Sequence, residues 1–576
     1  MIKNSVIKVG TIIVSMFALV VVFCGSINIS VSDVIFFEIS ALESEEDILH
    51  GDLNGDGNID STDYHLLARY ILEITDDFPV ENYMKVADLN GDGLIDSSDA
   101  ILLKRYILDI INEFPVETSL TPEPTPEIVP TTPSFVPSYR EASVHDPSVI
   151  KVDGYYYIIG SHLAFAKTDD LIQWEQINSS VHNRNSLIPN VYDELKESFE
   201  WAETDTMWAG DIVRLNDGRY YMYYCLCKGD SPRSTLGLAV ADNVEGSYRD
   251  EGILLKSGMW GEPSEDGREY DATVHPNAID PHVFFDNEGE LWMVYGSYSG
   301  GIFILKMDAD TGKPVEGQGY GKKLLGENHS RIEAPYILYS SESEYYYLFL
   351  SYGGLDAAGG YNIRVARSKN PDGPYYDGAG NEMIDAKGSR SSFFDDAAIE
   401  PYGVKLLGNF QFLESGIGYV SPGHNSAYYD EEQDKYYIFF HTRFPGRDEM
   451  HQVRVHQMFI NEDGWPVIAP HRYAKETIRQ YLEEEVSGTY EFINHGKDIS
   501  ANIKDSIEIK LESNGTISGS LSGTWQLKDG NDIVFEINGE NYKGVVLQQW
   551  DDGLKKYVMT FSALAENVAI WGSKVN

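Results

Sequence analysis

The chain has 576 residues, too many for one hydrophobic core, so its length predicts several domains. It contains 44 Lys and Arg residues and 91 Asp and Glu residues, which gives a net charge of −47. This charge disfavours binding to nucleic acid or to an anionic membrane surface. Hydrophobic residues make up 42% and aromatic residues 12%, which excludes a disordered acidic chain and favours a β-rich globular protein.

Residues 1–30 predict a secretory signal peptide with an uncertain end. Lys3 and Lys8 precede an apolar run from about Val9 to Cys24, after which small and polar residues follow. The alternative is an uncleaved membrane anchor, since the run is of marginal spanning length. We therefore expect a secreted protein without membrane attachment after cleavage. Cys225 and Cys227 then remain, two apart on a predicted strand, which predicts buried free thiols rather than a disulfide.

Residues 48–116 contain a repeat with a period of 36 residues. DLNGDGNIDSTDYHLLARYIL begins at Asp52, and DLNGDGLIDSSDAILLKRYIL begins at Asp88. In each copy, oxygen-bearing side chains occupy loop positions 1, 3, 5, 9 and 12, a glycine at position 6 permits a sharp turn, and an apolar helix follows. Hard cations such as calcium bind in this kind of oxygen cage. The predicted calcium ligands are Asp52, Asn54, Asp56, Asp60 and Asp63 in the first loop, and Asp88, Asn90, Asp92, Asp96 and Asp99 in the second.

This duplicated segment resembles a type I dockerin, the module that attaches bacterial cellulosomal enzymes to a scaffoldin. The resemblance implies two calcium ions, calcium-dependent folding and binding to a cohesin domain. Ser61-Thr62 and Ser97-Ser98 match the recognition positions of the family. The duplication permits two binding orientations, between which the sequence does not choose. Residues 117–139 are then predicted to be an extended Pro/Thr linker, with six prolines in the seventeen residues from Thr121.

Residues 140–478 carry a second, looser repeat of five hairpins. Each pairs a short apolar strand with an aromatic strand across a turn. Five such units predict a five-bladed β-propeller, with a β-sandwich as the alternative. The turns and aromatic strands read VDGYYYIIGS from Val152, NDGRYYMYYC from Asn216, NEGELWMVYGS from Asn287, SESEYYYLFLS from Ser341 and EEQDKYYIFFH from Glu431.

Residues 480–576 contain closely spaced strands of alternating polarity, which predict a separate small β-barrel or sandwich. We expect its tryptophans, Trp525, Trp550 and Trp571, to lie in the core rather than to stack on sugar. The whole chain is thus predicted to be mostly β, with a small α-helical calcium-binding module.

Polar residues stand at the starts of the five leading strands of the propeller. If those strands are the innermost ones, Asp146, Asp211, Asp280, Glu333 and His424 converge at one mouth of the central channel. A single Asp-Pro pair could merely start a strand, but three carboxylates at equivalent positions favour a catalytic role over a structural one. Inverting glycoside hydrolysis needs one carboxylate to activate water and one protonated carboxyl to donate to the leaving oxygen. A third negative charge nearby raises the pKa of the acid.

The motifs HDPS at 145–148, AIDPHVF at 278–284, RIEAPYI at 331–337 and GHNS at 423–426 resemble those of glycoside hydrolase family 43, and in particular its endo-α-1,5-L-arabinanases. The resemblance implies an inverting enzyme that cuts the arabinan side chains of pectin. It implies Asp146 as general base, Asp280 as pKa modulator and Glu333 as general acid. His424 matches a histidine that helps to hold a calcium ion in the channel; on chemistry alone, a hydrogen-bonded histidine is the alternative.

Four further residues are candidates for substrate contact, and three of them, Asn277, Ser297 and Arg331, resemble substrate-contacting positions of the family. Asn277, Ser297 and Arg331 flank the motifs, although each could equally make structural hydrogen bonds. Trp208 could stack on a furanose ring or pack in the interior. An exo-acting α-L-arabinofuranosidase or β-xylosidase on the same fold and a non-catalytic sugar-binding propeller remain alternatives.

Overall fold

The computed structural model describes residues 49–118, except 73, 76, 81, 92, 109, 110 and 112, and residues 135–575, except 529. The predicted signal peptide, most of the predicted linker and the predicted ligand Asp92 lie outside these residues. The chain divides into two compact units at residue 131. Within the described ranges, no helix is both long and apolar enough to cross a membrane.

The first unit is built on the repeated loop and helix. Asp60 and Asp96 cap the two long helices, and the carboxylates of Asp63 and Asp99 bond back to the capping residues, which completes a capping box in each copy. Eight buried apolar residues form a small core around Leu67 and Leu103. Its helices are α1 (Ser61–Ile71), α2 (Tyr83–Ala87), α3 (Ser97–Ile107) and α4 (Pro115–Thr118).

The second unit begins with four sets of four antiparallel strands in a propeller-like arrangement. Every residue of the second and third strands in the second set is buried, as expected when sheets stack on both faces. These strands are β1 (Ser148–Val152), β2 (Tyr155–Gly160), β3 (Ala164–Thr168) and β4 (Glu175–Asn178); β5 (Asp211–Arg214), β6 (Tyr220–Cys227), β7 (Ser234–Ala241) and β8 (Arg249–Ser257); β9 (His282–Phe285), β10 (Leu291–Tyr295), β11 (Ile302–Met307) and β12 (Lys322–Leu325); and β13 (Ile332–Ser340), β14 (Tyr345–Tyr352), β15 (Asn362–Ser368) and β16 (Val404–Leu407).

The next strands belong to a six-stranded sheet. They are β17 (Phe410–Gln411), β18 (Gly418–Asp430), β19 (Lys435–Arg443), β20 (Gln452–Ile460) and β21 (Pro466–Ile468). All five predicted hairpins are present as antiparallel pairs, namely β1 with β2, β5 with β6, β9 with β10, β13 with β14, and β18 with β19. Cys225 and Cys227 are buried free thiols on β6, as predicted.

The C-terminal strands close into an antiparallel barrel. They are β22 (Gly488–Asn494), β23 (Lys504–Asp505), β24 (Ile507–Leu511), β25 (Thr516–Gly519), β26 (Gly523–Lys528), β27 (Asp532–Ile537), β28 (Glu540–Asp551), β29 (Lys556–Ala565) and β30 (Val568–Lys574). Strands β22 and β24–β30 form the wall, and β30 closes it by pairing with both β22 and β29. The three tryptophans are buried, which confirms that they serve the core.

The barrel packs against the propeller region and shares strand pairings with it. Strand β30 pairs in parallel with β16 through Lys405 and Val568, and β23 pairs with β17. Trp571, fully buried, packs its ring against Phe410 and His495 at centroid distances of 5.2 and 4.6 Å. Shared strands and a shared apolar core therefore make one continuous body.

The remaining short elements lie in loops. They are the helices α5 (Val191–Glu194), α6 (Lys196–Ala202), α7 (Asp396–Ile399) and α8 (Glu483–Val486), and 3-10 turns at Ser161–Leu163 and Met383–Asp385.

Candidate active site

Asp146, Asp280, Glu333 and His424 line one cleft of about 350 Å³. Asp146 and Asp280 each lie two residues before a leading strand, Glu333 is the second residue of β13, and His424 lies within β18. Asp146, Asp280 and His424 have φ values of +60°, +56° and +47°, a conformation that side-chain-bearing residues rarely adopt. The backbone bends at these positions bring side chains of four different strands to one point.

Asp211 does not join this group, and the prediction that it would do so is wrong. Its carboxylate accepts hydrogen bonds from Ser148 Oγ at 2.5 Å and from Val283 N at 2.7 Å. The reason is register. Asp146 and Asp280 precede their strands by two residues, whereas Asp211 is itself the first residue of β5 and so lies level with Ser148. The position equivalent to the two aspartates is Ala209.

Three imidazoles surround the carboxylate of Asp146. Its Oδ1 lies 2.7 Å from His145 Nδ1, 3.0 Å from His424 Nδ1 and 3.6 Å from His441 Nδ1. Ser161 Oγ donates to Oδ2 at 2.5 Å. Burial acts to raise the pKa of Asp146, but His145 and His424 outweigh it and hold this pKa well below its usual range. Asp146 is therefore an anion at neutral pH, as a base requires.

Glu333 has the opposite environment. Ser297 Oγ and Tyr361 Oη each donate to its carboxyl at 2.8 Å, and no cationic side chain within the described ranges pairs with it. Burial raises the pKa of Glu333, and the nearby charge of Asp146 acts in the same direction. The pKa of Asp280 is raised as well, first by burial and then by the neighbouring carboxylates of Glu333 and Asp146. Glu333 is thus suited to carry a proton.

His424 makes contact with Asp146 through Nδ1, while its backbone N–H donates to Ser351 Oγ at 2.7 Å. Although burial lowers it, the charges of Asp146 and Asp280 raise the pKa of His424 to about 9. With a carboxylate at Nδ1, Nε2 becomes a ligand atom once it gives up its proton, which is the usual arrangement of a metal-binding histidine. The residues present therefore fit a cation at Nε2, as well as the alternative of a hydrogen-bonded histidine.

A second set of possible ligands, His145, Asp146 and His441, has ligand atoms within 4.8 Å of one another. The rings of His145 and His441 stack at a centroid distance of 3.8 Å, and Nδ1 of His441 accepts a hydrogen bond from the backbone N–H of Asp146 at 3.2 Å. A metal ion binds in the plane of an imidazole ring, and stacked rings do not share such a point. These histidines hold Asp146 in place instead.

The four residues predicted to contact substrate lie in different settings. Trp208 lines the cleft and is partly buried. Ser297 binds Glu333. Asn277 is buried and accepts a hydrogen bond from Ser234 Oγ at 2.6 Å, so its carbonyl oxygen is engaged within the protein. Arg331 forms an ion pair with Asp396, with Nε 2.9 Å from Oδ1.

The sequence reasoning missed the partners of the carboxylates, although a signal for them was present. The five turn-and-strand sequence motifs end in corresponding residues, which are Ser161, Cys225, Ser297, Ser351 and His441. Four of these form hydrogen bonds to the catalytic candidates or to His424: Ser161 and His441 contact Asp146, Ser297 contacts Glu333, and Ser351 contacts His424. Tyr361 is outside this pattern and had no comparable signal.

The loops of the first unit present only oxygen ligands. Asp52 Oδ2 accepts the N–H of Gly57 at 2.8 Å, and Asp88 Oδ2 accepts that of Gly93 at the same distance. Asp63 and Asp99 are fully buried, and no described Lys or Arg forms an ion pair with either. Buried carboxylates without a cation are costly. This donor set fits calcium in both copies, with Asp92 outside the described residues.

Comparison with known families agrees with this geometry. Residues 140–466, more than half of the chain, match the family described as glycosyl hydrolases family 43. The chain belongs to glycosyl hydrolase family 43. Outside this family 43 domain, residues 50–108 match the dockerin type I domain, whose members typically bind calcium, and residues 470–572 match a C-terminal lipocalin-like domain.

Two curated family 43 relatives align over most of the chain. The extracellular endo-α-(1→5)-L-arabinanase 2 of Bacillus subtilis is 62% identical over 76% of this chain and 94% of its own length. The extracellular endo-α-(1→5)-L-arabinanase of Thermotoga petrophila is 54% identical over 76% of this chain and 95% of its own. A crystal structure of a family 43 glycoside hydrolase from Bacillus licheniformis superposes with a TM-score of 0.75 at 62% identity, covering 76% of this chain and all of the other. The chain is thus a glycoside hydrolase with a dockerin domain.

Proposed function

We propose that this glycoside hydrolase is an endo-acting α-1,5-L-arabinanase that cuts arabinan, including the arabinan side chains of pectin, with inversion. The observation that carries the proposal is that the environments of the two carboxyl groups in the cleft shift their pKa values in opposite directions. His145 and His424 hold the pKa of Asp146 well below its usual range, whereas burial raises the pKa of Glu333. The proposed substrate is the one named for the two relatives, whose alignments with this chain cover 94% and 95% of their own lengths.

In this proposal, Asp146 takes a proton from the attacking water, and Glu333 donates its proton to the oxygen of the leaving sugar. Ser161 and His441 fix the position of Asp146, and Ser297 and Tyr361 fix that of Glu333. Asp280 accepts the backbone N–H of Ala334 at 3.2 Å, which places its carboxylate beside the acid. There it acts as the pKa modulator, because two buried carboxyl groups so close together favour the state in which one of them is protonated.

Trp208 in the cleft is the best-placed of the predicted sugar-binding residues, and we retain Asn277, Ser297 and Arg331 as candidates. A cation at His424 would add positive charge close to the carboxylates of Asp146 and Asp280. We further propose that β18–β21 form the fifth blade, because β18 supplies His424 to the cleft that Asp146, Asp280 and Glu333 also line.

The test is the size profile of products from linear α-1,5-arabinan, run beside xylan. We expect a ladder of short arabino-oligosaccharides that is lost in Asp146→Ala and Glu333→Ala. Release of single arabinose units would indicate the exo-acting alternative, and turnover of xylan alone would indicate a β-xylosidase. An absence of turnover on both polymers would favour a sugar-binding propeller. Proton NMR of the first product would show the inverted anomer.

We also propose that the dockerin domain binds two calcium ions and docks the secreted enzyme to a cohesin domain of a cellulosomal scaffoldin. The two oxygen loops and the serine and threonine pairs at 61–62 and 97–98 support this role. Binding of the whole chain to an immobilised type I cohesin should require calcium. Undiminished binding in excess EDTA would refute it, while arabinan turnover serves as an independent readout of the enzyme.

A further inference from the structure

Two exposed phenylalanines are neighbours in one loop, where they contact Tyr298 and His329. Phe393 is 71% exposed and Phe394 is 50% exposed, in the loop that leads into α7. Their rings lie 6.3 Å apart. Adjacent exposed aromatic rings on a soluble protein mark a binding surface more often than chance, because water contact with apolar surface is unfavourable.

The loop is fixed in place by polar contacts. Gly388 N donates to Ser330 Oγ at 2.7 Å, and Asn328 Nδ2 donates to the carbonyl oxygen of Gly388 at 3.0 Å. At the other end of the loop, Asp396 pairs with Arg331. Phe394 itself has a φ of +57°, which is unfavourable for a bulky residue. The structure thus holds both rings outward at a cost in backbone strain.

The rings contact Tyr298 and His329, each of which lies close in the chain to Glu333 or to its hydrogen-bond partner Ser297. Phe394 lies 5.7 Å from the ring of Tyr298, and Tyr298 directly follows Ser297, which binds Glu333. Phe393 stacks on His329 at 4.6 Å. The hydroxyl of Tyr298 donates to the carbonyl oxygen of Gly353, two residues before the cleft residue Leu355. We name Tyr298, His329, Phe393 and Phe394 the aromatic wall.

We propose that the aromatic wall binds arabinofuranosyl units on the leaving-group side of the scissile bond. This inference rests on the proposed function. The wall adjoins Glu333, and the acid delivers its proton to the oxygen that departs with the leaving part of the chain. Furanose rings are neutral and present C–H groups to the negative faces of aromatic rings, so an uncharged aromatic surface suits them. The wall would thus lengthen the recognised chain beyond the cleft.

The test compares chain lengths in the full-length enzyme. We expect Phe393→Ala/Phe394→Ala to raise KM for linear arabinan and for an arabinohexaose by about three- to tenfold per ring, with little change in kcat. On arabinotriose, which is too short to fill the cleft and the wall together, kcat/KM should change less than twofold. Phe393→Tyr/Phe394→Tyr should restore the wild-type KM because the rings remain. A matched control is Tyr155→Ala, 41% exposed at the opposite end of β2 from Ser161.

Equal effects on the trisaccharide and the polymer, or no effect on either, would overturn the aromatic wall while leaving arabinanase activity in place. If the wild-type enzyme hydrolyses xylan instead of arabinan, the proposed function fails. The same comparison of chain lengths on xylo-oligosaccharides then shows whether the aromatic wall binds sugar. Thermal unfolding of each variant shows whether the fold is kept. If the Ala double variant unfolds, the single Phe393→Ser variant, which changes the more exposed ring, gives the same comparison.

Discussion

The two compact units both gather carboxylates, and they differ in what offsets the negative charge. In the calcium loops, side chains such as Asp52 and Asp88 accept backbone N–H groups and present oxygen atoms to a cation from solution. In the cleft, the charge of Asp146 is offset by imidazoles of the protein itself, whereas burial raises the pKa of Glu333 and so favours its uncharged form. We therefore expect the loops to depend on a metal for their structure and the cleft to use its charge imbalance for proton transfer.

The largest difference between the units should appear when calcium is removed. Excess EDTA should abolish the helical signal of α1 and α3, since their first turns contain loop ligands, while the β-structured unit keeps its unfolding transition. Circular dichroism and calorimetry of the full chain measure both. Asp63→Ala and Asp99→Ala should each lower the calcium stoichiometry by one, and Asp77→Ala, exposed and outside the loops, should not. Simultaneous loss of both transitions would contradict the comparison.

Removal of the proton donor should affect only the cleft. Glu333→Gln keeps the size of the side chain but carries no proton to donate, so kcat on arabinan should fall by about 10²- to 10⁴-fold with KM little changed. Steady-state kinetics measure this, with Glu288→Gln in the exposed turn between β9 and β10 as control. Wild-type turnover by the Glu333 variant would remove it from the role of acid.

Loss of core packing should affect only the unit that does not rely on calcium. Trp571→Ala empties a fully buried site shared by the barrel and the propeller region, so it should lower the free energy of unfolding by about 3–5 kcal/mol. Denaturant titration with and without calcium tests whether this loss is independent of the metal. If the loss of unfolding free energy caused by Trp571→Ala disappears in EDTA, the stabilities of the two units are coupled.

The smallest expected effect concerns the pKa of the acid. Tyr361 Oη stabilises the charged form of Glu333, so Tyr361→Phe should raise this pKa further. Activity requires the protonated form, so the alkaline limb of the pH profile should move to higher pH, by roughly half a unit to one unit. Tyr352→Phe is a matched control, because the buried hydroxyl of Tyr352 has no hydrogen-bond partner among the described residues. An unmoved limb would show that Tyr361 does not tune the acid.

Sequence reasoning succeeded where the signal was periodic or repeated. The calcium loops recur every 36 residues, and the five turn-and-strand patterns correspond to antiparallel pairs. It failed for Asp211, because a shift of two residues relative to the start of a strand moves a side chain along the channel, and local sequence does not fix that offset. It also missed His441 and Tyr361, since hydrogen bonds between strands about 300 and 30 residues apart along the chain are set by the tertiary fold.

The parallel pairing of β16 with β30 has a consequence for how the molecule is made. During synthesis, the outer edge of β16 is complete long before the strand that will cover it, and an open sheet edge invites pairing with other chains. The nascent propeller region therefore needs protection from aggregation until the barrel strands have emerged and β30 has docked.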